Sequence, residues 1–424
     1  MDTRIKSIHA RQIVDCKCRP CVEVDVVTES GAVGTGAAPT GSSVGMYESY
    51  VMRDNNPDEY HGLSVHKAVD NINQIIAPEL IGMDAADQRG IDEKMIALDG
   101  TELKENLGGN AVYSVSIAAF RAMAAAQNMP LYQYIANGKI DTVPVPSFNV
   151  VNGGKYDDLT QPFNEFIIVP YGTDRVEKSV EMGINIFQEL ENVLTAYLGS
   201  KPVVAPSYGY KAPSDDPEVI LELISKAIKN CGCDGKVAFA LDCASSEMYD
   251  KATNTYLLKG QRVSSDELIA YAKTLTEKYP FLFIEDLLDE NDWTSWSKLH
   301  ENVTRTNIIG DDFIVTNRDR LAKAYAMQAL DGFILKPNQV GTITEALDTH
   351  YYAMDHNLLA ITSGRSGGVV GDVVMDLAVG LQIGFIKNGA PRSGERIDKL
   401  NFLMRAADLN DPCGLADITP LLKF

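Results

Sequence analysis

Apolar positions recur with two different periods along this chain. Near the start the period is two. Cys21-Val-Glu-Val-Asp-Val-Val27 alternates, Ser30-Gly31 reads as a turn, and Ala32-Val-Gly-Thr-Gly-Ala37 resumes, which is the pattern of a β-hairpin. From about residue 62 to 128 the period lengthens to that of a helix. Val65, Ala68, Val69 and Ile72 fall on one face, and so do Val115, Ile117, Ala118 and Ala122 further on. Residues 1–135 therefore read as an α+β domain, with a polar boundary at 136–142. From 140 to 424 short apolar strands alternate with helices, an order that predicts a parallel sheet. Thr142-Val-Pro-Val145 and Phe166-Ile-Ile-Val169 are the early strands, and a helix follows at about 175–198. A loop rich in proline and glycine spans 199–216. The next helix opens on Asp215-Asp216-Pro217 and carries Ile220, Leu223, Ile224, Ala227 and Ile228 on its apolar face. Ser264 and Glu267 form a capping box for another helix.

The later strands share one property: each ends on a polar or charged residue. Val237-Ala-Phe-Ala-Leu ends at Asp242, Phe281-Leu-Phe-Ile at Glu285-Asp286, and Asn307-Ile-Ile-Gly at Asp311-Asp312. Gly332-Phe-Ile-Leu ends at Lys336, Leu358-Leu-Ala-Ile-Thr at Ser363-Gly-Arg365-Ser366, and Gly384-Phe-Ile at Lys387. From Glu285 onward successive ends lie about 25 residues apart, the length of one strand, one helix and two loops. Repeats that each deliver a polar group at the strand's C-terminal end describe a (β/α)₈ barrel, with its active groups at that rim. The fold class is thus α/β, with an α+β capping domain over 1–135 and a barrel over 140–424.

Composition narrows the function classes. The 424 residues contain 38 basic and 58 acidic side chains, a formal net charge of −20, with 45% hydrophobic and 23% charged residues. That balance argues against nonspecific binding to nucleic acid or an anionic membrane. It leaves room for an anionic substrate, because a local cluster of cations overrides the global field. No stretch approaches the ~20 apolar residues of a membrane span and the N-terminus lacks a signal-peptide apolar region, so a cytoplasmic location is expected. Seven cysteines suit reduced thiols better than a disulfide framework. Cys16, Cys18 and Cys21 lack the fourth ligand that zinc normally takes.

Asp242, Glu285 and Asp311 on consecutive strands converge on one point, and an oxygen-only ligand set of this kind suits Mg²⁺. The plainer reading is three capped or salt-bridged carboxylates. Lys336 and Lys387 lie on later strands across the barrel mouth. A lysine at the tip of a buried strand loses hydration, its pKa falls, and it can act as a base; the plainer reading is a lysine that reaches to solvent. A lysine base opposite a divalent cation fits removal of a proton α to a carboxylate, with the metal stabilising the dianion. Arg365 and Ser366 suit a phosphate or a second carboxylate, and Glu165 is a further acid/base candidate. Pro39-Thr-Gly-Ser-Ser43-Val-Gly45 is a small polar loop of a kind that closes over ligands.

These residues resemble the enolase family nearly end to end. The likeness is carried by Ile8-His-Ala-Arg-Gln-Ile-Val-Asp15, Lys67-Ala-Val-Asp-Asn-Ile-Asn73, Leu98-Asp-Gly-Thr101, Ala240-Leu-Asp-Cys-Ala-Ser-Ser-Glu247, Ile284-Glu-Asp286, Gly310-Asp-Asp312 and Leu335-Lys-Pro-Asn-Gln-Val-Gly341. The resemblance implies dehydration of 2-phosphoglycerate to phosphoenolpyruvate, two Mg²⁺ ions, and a homodimer or higher homo-oligomer. It implies that Asp242, Glu285 and Asp311 hold one metal and that Ser43 helps hold the second. Lys336 would remove the C2 proton, Lys387 would neutralise the carboxylate, Arg365 and Ser366 would hold the phosphate, and Glu165 would sit near the leaving hydroxyl. The departures lie on one side. The family's Gly-Asp-Glu-Gly-Gly-Phe-Ala-Pro supplies the acid; here Pro206-Ser-Tyr-Gly-Tyr-Lys-Ala-Pro213 puts Tyr208, or Ser207, in the glutamate's place. The histidine of Asn-Gly-Gly-x-His-Ala is Tyr156, and that of Ser-His-Arg-Ser-Gly is Gly364. The Gln-Glu pair is Asn164-Glu165. The base half of the mechanism is therefore expected intact and the acid half altered, with Tyr156, Tyr208, Tyr210 and Lys211 reshaping that wall and Tyr156 and Asn164 among the expected substrate-binding residues. Three readings follow: an enolase acting on 2-phosphoglycerate, a divergent enzyme acting on another phospho- or phosphono-carboxylate, and a non-catalytic binding protein.

Overall fold

The three-stranded sheet of the first domain shows why its sequence alternates. In this computed structural model, which describes residues 1–41 and 45–424, strand β1 (Ile5–Val14) pairs antiparallel with β2 (Pro20–Thr28), and β2 with β3 (Val33–Ala37). Val22, Val24 and Val26 are fully buried on one face of β2. That face packs on the helix Gly109–Ala126, where Val115, Ile117, Ala118 and Ala122 are all buried. The contact is backbone to backbone. A Cβ at Gly34 would stand 2.1 Å from the Ala118 carbonyl oxygen, which is why the strand reads Val-Gly-Thr-Gly-Ala. Val65, Ala68 and Ile72 are buried in the same core, with Val69 half-buried beside them.

The second domain is a closed barrel of eight strands: β4 (Val145–Lys155), β5 (Thr160–Pro170), β6 (Val237–Asp242), β7 (Phe281–Glu285), β8 (Asn307–Gly310), β9 (Gly332–Leu335), β10 (Leu359–Ser363) and β11 (Phe385–Lys387). Pairing of β11 with β4 closes it. The predicted helices take their places around it: Val176–Leu198, Pro217–Asn230 capped by the Asp216 side chain, and Ser265–Lys278 with both hydrogen bonds of the Ser264–Glu267 capping box.

Two expectations are corrected. The sheet is not wholly parallel, since β5 runs antiparallel to both β4 and β6. The chain returns from β4 to β5 through a short loop at 156–159, which can join only antiparallel neighbours; parallel strands need a crossover of a dozen residues or more. Thr142–Val143 is also no barrel strand. It pairs with Gly414–Leu415, and the barrel strand starts after Pro144. The reversal of β5 matters for the site. Glu165 lies opposite Asp242 in mid-strand, level with the C-terminal ends of the parallel strands. Among the described residues no helix is long and apolar enough to cross a membrane.

Candidate active site

The strand ends enclose a cavity of about 290 Å³ at the barrel rim facing the first domain. β6 delivers Asp242, the end of β8 Asp311, the end of β9 Lys336, and β11 Lys387. Glu285, on β7, is fully buried behind them. The Lys387 ammonium donates to Asp242 Oδ2 at 2.9 Å and to Glu285 Oε2 at 2.5 Å, and lies 3.8 Å from Glu165 Oε2. Lys336 Nζ donates to Asp311 Oδ2, whose other oxygen accepts from Gln339 Nε2 at 2.9 Å. Arg365 pairs with Glu48 of the first domain at 2.8 and 3.2 Å, both side chains buried. Asn149 Nδ2 donates to Glu165 Oε1 at 2.8 Å. Lys336, Lys387, Asp242, Asp311, Glu165, Arg365, Ser366, Tyr156 and Asn164 thus meet at one cavity. Ser43 lies outside the described residues.

Electrostatics overturns one expectation. Burial, the largest single influence, would lower the pKa of Lys336, but the nearby carboxylates, Asp311 first and Glu285 with it, together turn the net shift upward. Lys387 is raised well above the ordinary lysine value; burial opposes the charge, but Asp242 and Glu285 win. Asp311 is held low by Lys336 and Lys387 against the cost of its own burial. Glu285 and Glu165 go the other way: burial raises both, and the nearby Asp242 adds to it.

The donor set fits a hard divalent cation. Asp242, Glu285 and Asp311 offer only oxygen, and Glu285 Oε1 is buried without a hydrogen-bond partner among the described residues. A second carboxylate group was not anticipated. Oxygens of Asp286, Asp311 and Asp312 lie within 4.8 Å of one another. Burial, then its aspartate neighbours, raises Asp286, and burial with Asp311 takes Asp312 up to about 8. Asp286 also accepts the backbone N–H groups of Asp311 (2.8 Å) and Asp312 (2.7 Å), so it fixes the turn that presents Asp311. The doublets Glu285-Asp286 and Asp311-Asp312 were the available signal.

The opposite wall holds the residues that the sequence reading expects to depart from the family pattern. The Tyr156 hydroxyl donates to the carbonyls of Asn152 (3.1 Å) and Gly153 (3.0 Å). Lys211 stacks its ammonium 4.7 Å from the Tyr156 ring centre and pairs with Asp158. Pro206 and Ser207 line the cavity, whereas Tyr208 turns aside. Its φ is +70°, its hydroxyl donates to the Cys16 carbonyl at 3.1 Å, and Arg396 lies over its ring. Arg396 also clamps the Ser207 carbonyl at 2.6 Å, which holds the loop in this register. At Gly364 a Cβ would meet the Lys399 ammonium at 2.2 Å, so the space behind that position is already filled. Lys399 is itself held by Glu395. Among the described residues no histidine lines the cavity. Lys17 and Lys155 line it and were missed; the stretch around Lys17 drew attention only for its cysteines.

Comparison with known proteins matches the chain to two family models, "Enolase, N-terminal domain" over residues 5–135 and "Enolase, C-terminal TIM barrel domain" over residues 140–413. A protein of Methanopyrus kandleri named "Enolase" is 40% identical over 425 residues, covering 99% of both chains. One of Methanococcus aeolicus with the same name is 40% identical over 402 residues, covering 95% of this chain and 94% of the relative.

Proposed function

Because the chain belongs to the enolase family of carbon–oxygen lyases, we propose that it uses Mg²⁺ to convert 2-phosphoglycerate to phosphoenolpyruvate and water. The observation that carries this reading is the meeting of Lys336 and Lys387 with Asp242, Glu285, Asp311 and Arg365 at one cavity. Lys336 takes the C2 proton. Lys387 pairs with the substrate carboxylate. Arg365 and Ser366 hold the phosphoryl group, which fixes C2 against Lys336. Asp242, Glu285 and Asp311 would hold the first Mg²⁺, and Ser43 would contribute to a second; when bound, the metal would supply Lewis-acid stabilisation of charge on the carboxylate. Glu165, oriented by Asn149, gives a proton to the departing hydroxyl as the C2–C3 double bond forms. The working form is taken to be a cytoplasmic homodimer or higher homo-oligomer.

A second reading rests on the altered wall. Tyr156, Ser207 and Gly364, which the sequence reading sets against the family's acid and histidines, all line the cavity, and this supports entry of another phospho- or phosphono-carboxylate with a different leaving group into the same enolate chemistry. One experiment separates the readings. The protein, Mg²⁺ and 2-phosphoglycerate are followed by proton NMR in D₂O. Vinyl signals at enzymatic rates establish the first reading. Loss of the C2 proton without vinyl signals favours the second. No change in either signal rules out 2-phosphoglycerate as a substrate.

A further inference from the structure

Several carboxylates favour the charge on Arg365. Glu48 comes first, and Asp311 and Asp312 follow. The influence is mutual, because Arg365 in turn favours the ionised forms of Asp311 and Asp312. Arg365, Asp311 and Asp312 all line the main cavity. Glu48, from the first domain, takes the guanidinium with both of its oxygens: Arg365 Nη1 donates to Oε2 at 2.8 Å and Nη2 to Oε1 at 3.2 Å. Both side chains are buried, where such a pair is strong and its loss costly. A guanidinium released by Glu48 is drawn toward Asp311 and Asp312. An arginine and a divalent cation compete for one carboxylate, since each satisfies the charge that the other would.

The segment that carries Glu48 is fastened to the barrel by its neighbour. The Ser49 N–H donates to the Gln339 carbonyl at 2.7 Å, and its hydroxyl to the Asn338 carbonyl at 2.8 Å. Gln339 itself donates to Asp311 Oδ1 at 2.9 Å. Within the segment the Glu48 N–H donates to the Gly45 carbonyl at 3.2 Å, and Glu48 Oε1 accepts the Gly45 N–H at 3.0 Å. The backbone at Glu48 is therefore placed beside Asp311 by bonds that do not need the Glu48 charge, and that charge can be removed with the segment still in place.

We propose that Glu48 is a positioning residue that holds Arg365 away from Asp311 and Asp312, and so leaves Asp311 to a divalent cation. This rests on the reading that puts the cation at Asp242, Glu285 and Asp311. Glutamine at position 48 keeps the shape of the side chain but turns an amide NH₂ toward one of the guanidinium N–H groups, which breaks the two-point grip.

The test is calorimetric titration of the full-length protein with Mg²⁺ alone, in the parent, in Glu48→Gln, in Arg365→Met and in the double variant. Glu48→Gln weakens Mg²⁺ binding about ten- to one-hundred-fold, the worth of one charge-assisted hydrogen bond that the cation has to displace. In the Arg365→Met background the same substitution weakens it less than about threefold. Loss of a nearby negative charge would by itself weaken binding equally in both backgrounds, so equal effects overturn the assignment, as does an unchanged affinity in Glu48→Gln. A crystal structure of Glu48→Gln gives a second measurement, decisive even if the Arg365→Met variants fold poorly: the guanidinium turns to Asp311 or Asp312, and a guanidinium left in its original place overturns the role of Glu48. A parent protein that binds no Mg²⁺ sinks the cation reading and this inference with it, whereas a parent that binds and a Glu48→Gln variant that matches it sink the inference alone.

Discussion

Lys336 shows how far a single residue's chemistry depends on its neighbours. Its place at the end of a buried strand suggested a lysine stripped of water and ready to lose its proton. In the fold it meets Asp311, and the ammonium is favoured instead. Its proposed use as a base would require that Asp311 be otherwise engaged, as it would be in holding the proposed cation. Lys336→Ala is expected to abolish exchange of the substrate's C2 proton with D₂O and to lower turnover by at least about 10²–10⁴-fold, the usual share of a general base. Lys336→Arg keeps the positive charge and should fall nearly as far. Exchange that survives in Lys336→Ala would move the base to another residue.

At the level of elements, the β4–β5 hairpin decides the geometry of the altered wall. It carries Asn149, Asn152, Tyr156, Asn164 and Glu165. Its close pairing depends on Gly153, where a Cβ would come within 1.9 Å of the Phe163 carbonyl oxygen and 2.7 Å of that of Gln161. Both are backbone atoms, so no side-chain rotation relieves the clash. Gly153→Ala should therefore cost roughly 1–3 kcal/mol or more, read as a lowered midpoint in urea. It should also reduce turnover, because Glu165 is displaced. Gly394→Ala meets nothing within 4 Å and should stay within about 0.5 kcal/mol of the parent. Equal midpoints for the two variants would show that the hairpin yields more easily than its contacts imply.

At the scale of the whole molecule, acid should unfold the protein in part through His350. This residue is buried on the helix Ile343–Asp355, its Nδ1 has no hydrogen-bond partner, and burial takes its pKa down to about 4. The unfolded chain binds that proton near pH 6.5, so the folded state holds fewer protons between the two values. Its contribution is complete above about pH 6.5 and is lost as the pH falls toward 4, amounting to roughly 2–4 kcal/mol at the lower end. Urea midpoints of the parent and His350→Leu across pH 7.5 to 4.5 check this: the parent should lose stability more steeply by up to one proton. Parallel curves would mean that His350 is not the group being titrated.

Much of this protein is legible in the order of its residues, for a physical reason. Helix and strand periods are local, so the strands ending at Asp242, Glu285, Asp311, Lys336 and Lys387 could be marked one by one. A barrel then has little choice but to bring those ends together. The hydrophobic pattern says nothing about direction, and so the antiparallel course of β5 was missed; a four-residue loop rather than any apolar period sets it. Pairings across long stretches of chain were equally out of reach. Glu48 with Arg365 and Cys16 with Ser366 and Tyr208 join segments about 190 to 350 residues apart, and each depends on how the two domains and their loops pack. The register of the loop around Ser207 and Tyr208 belongs to the same class: neighbouring residues in a loop compete for one place, and Arg396, from the helix Gly394–Leu409, decides between them. Local periodicity and strand-end chemistry determined the fold and which charged strand ends meet at the cavity, whereas the charge balance around Lys336 and the shape of the wall formed by the β4–β5 hairpin and the loop at Ser207 were decided only by tertiary packing, because electrostatic and steric effects act through space.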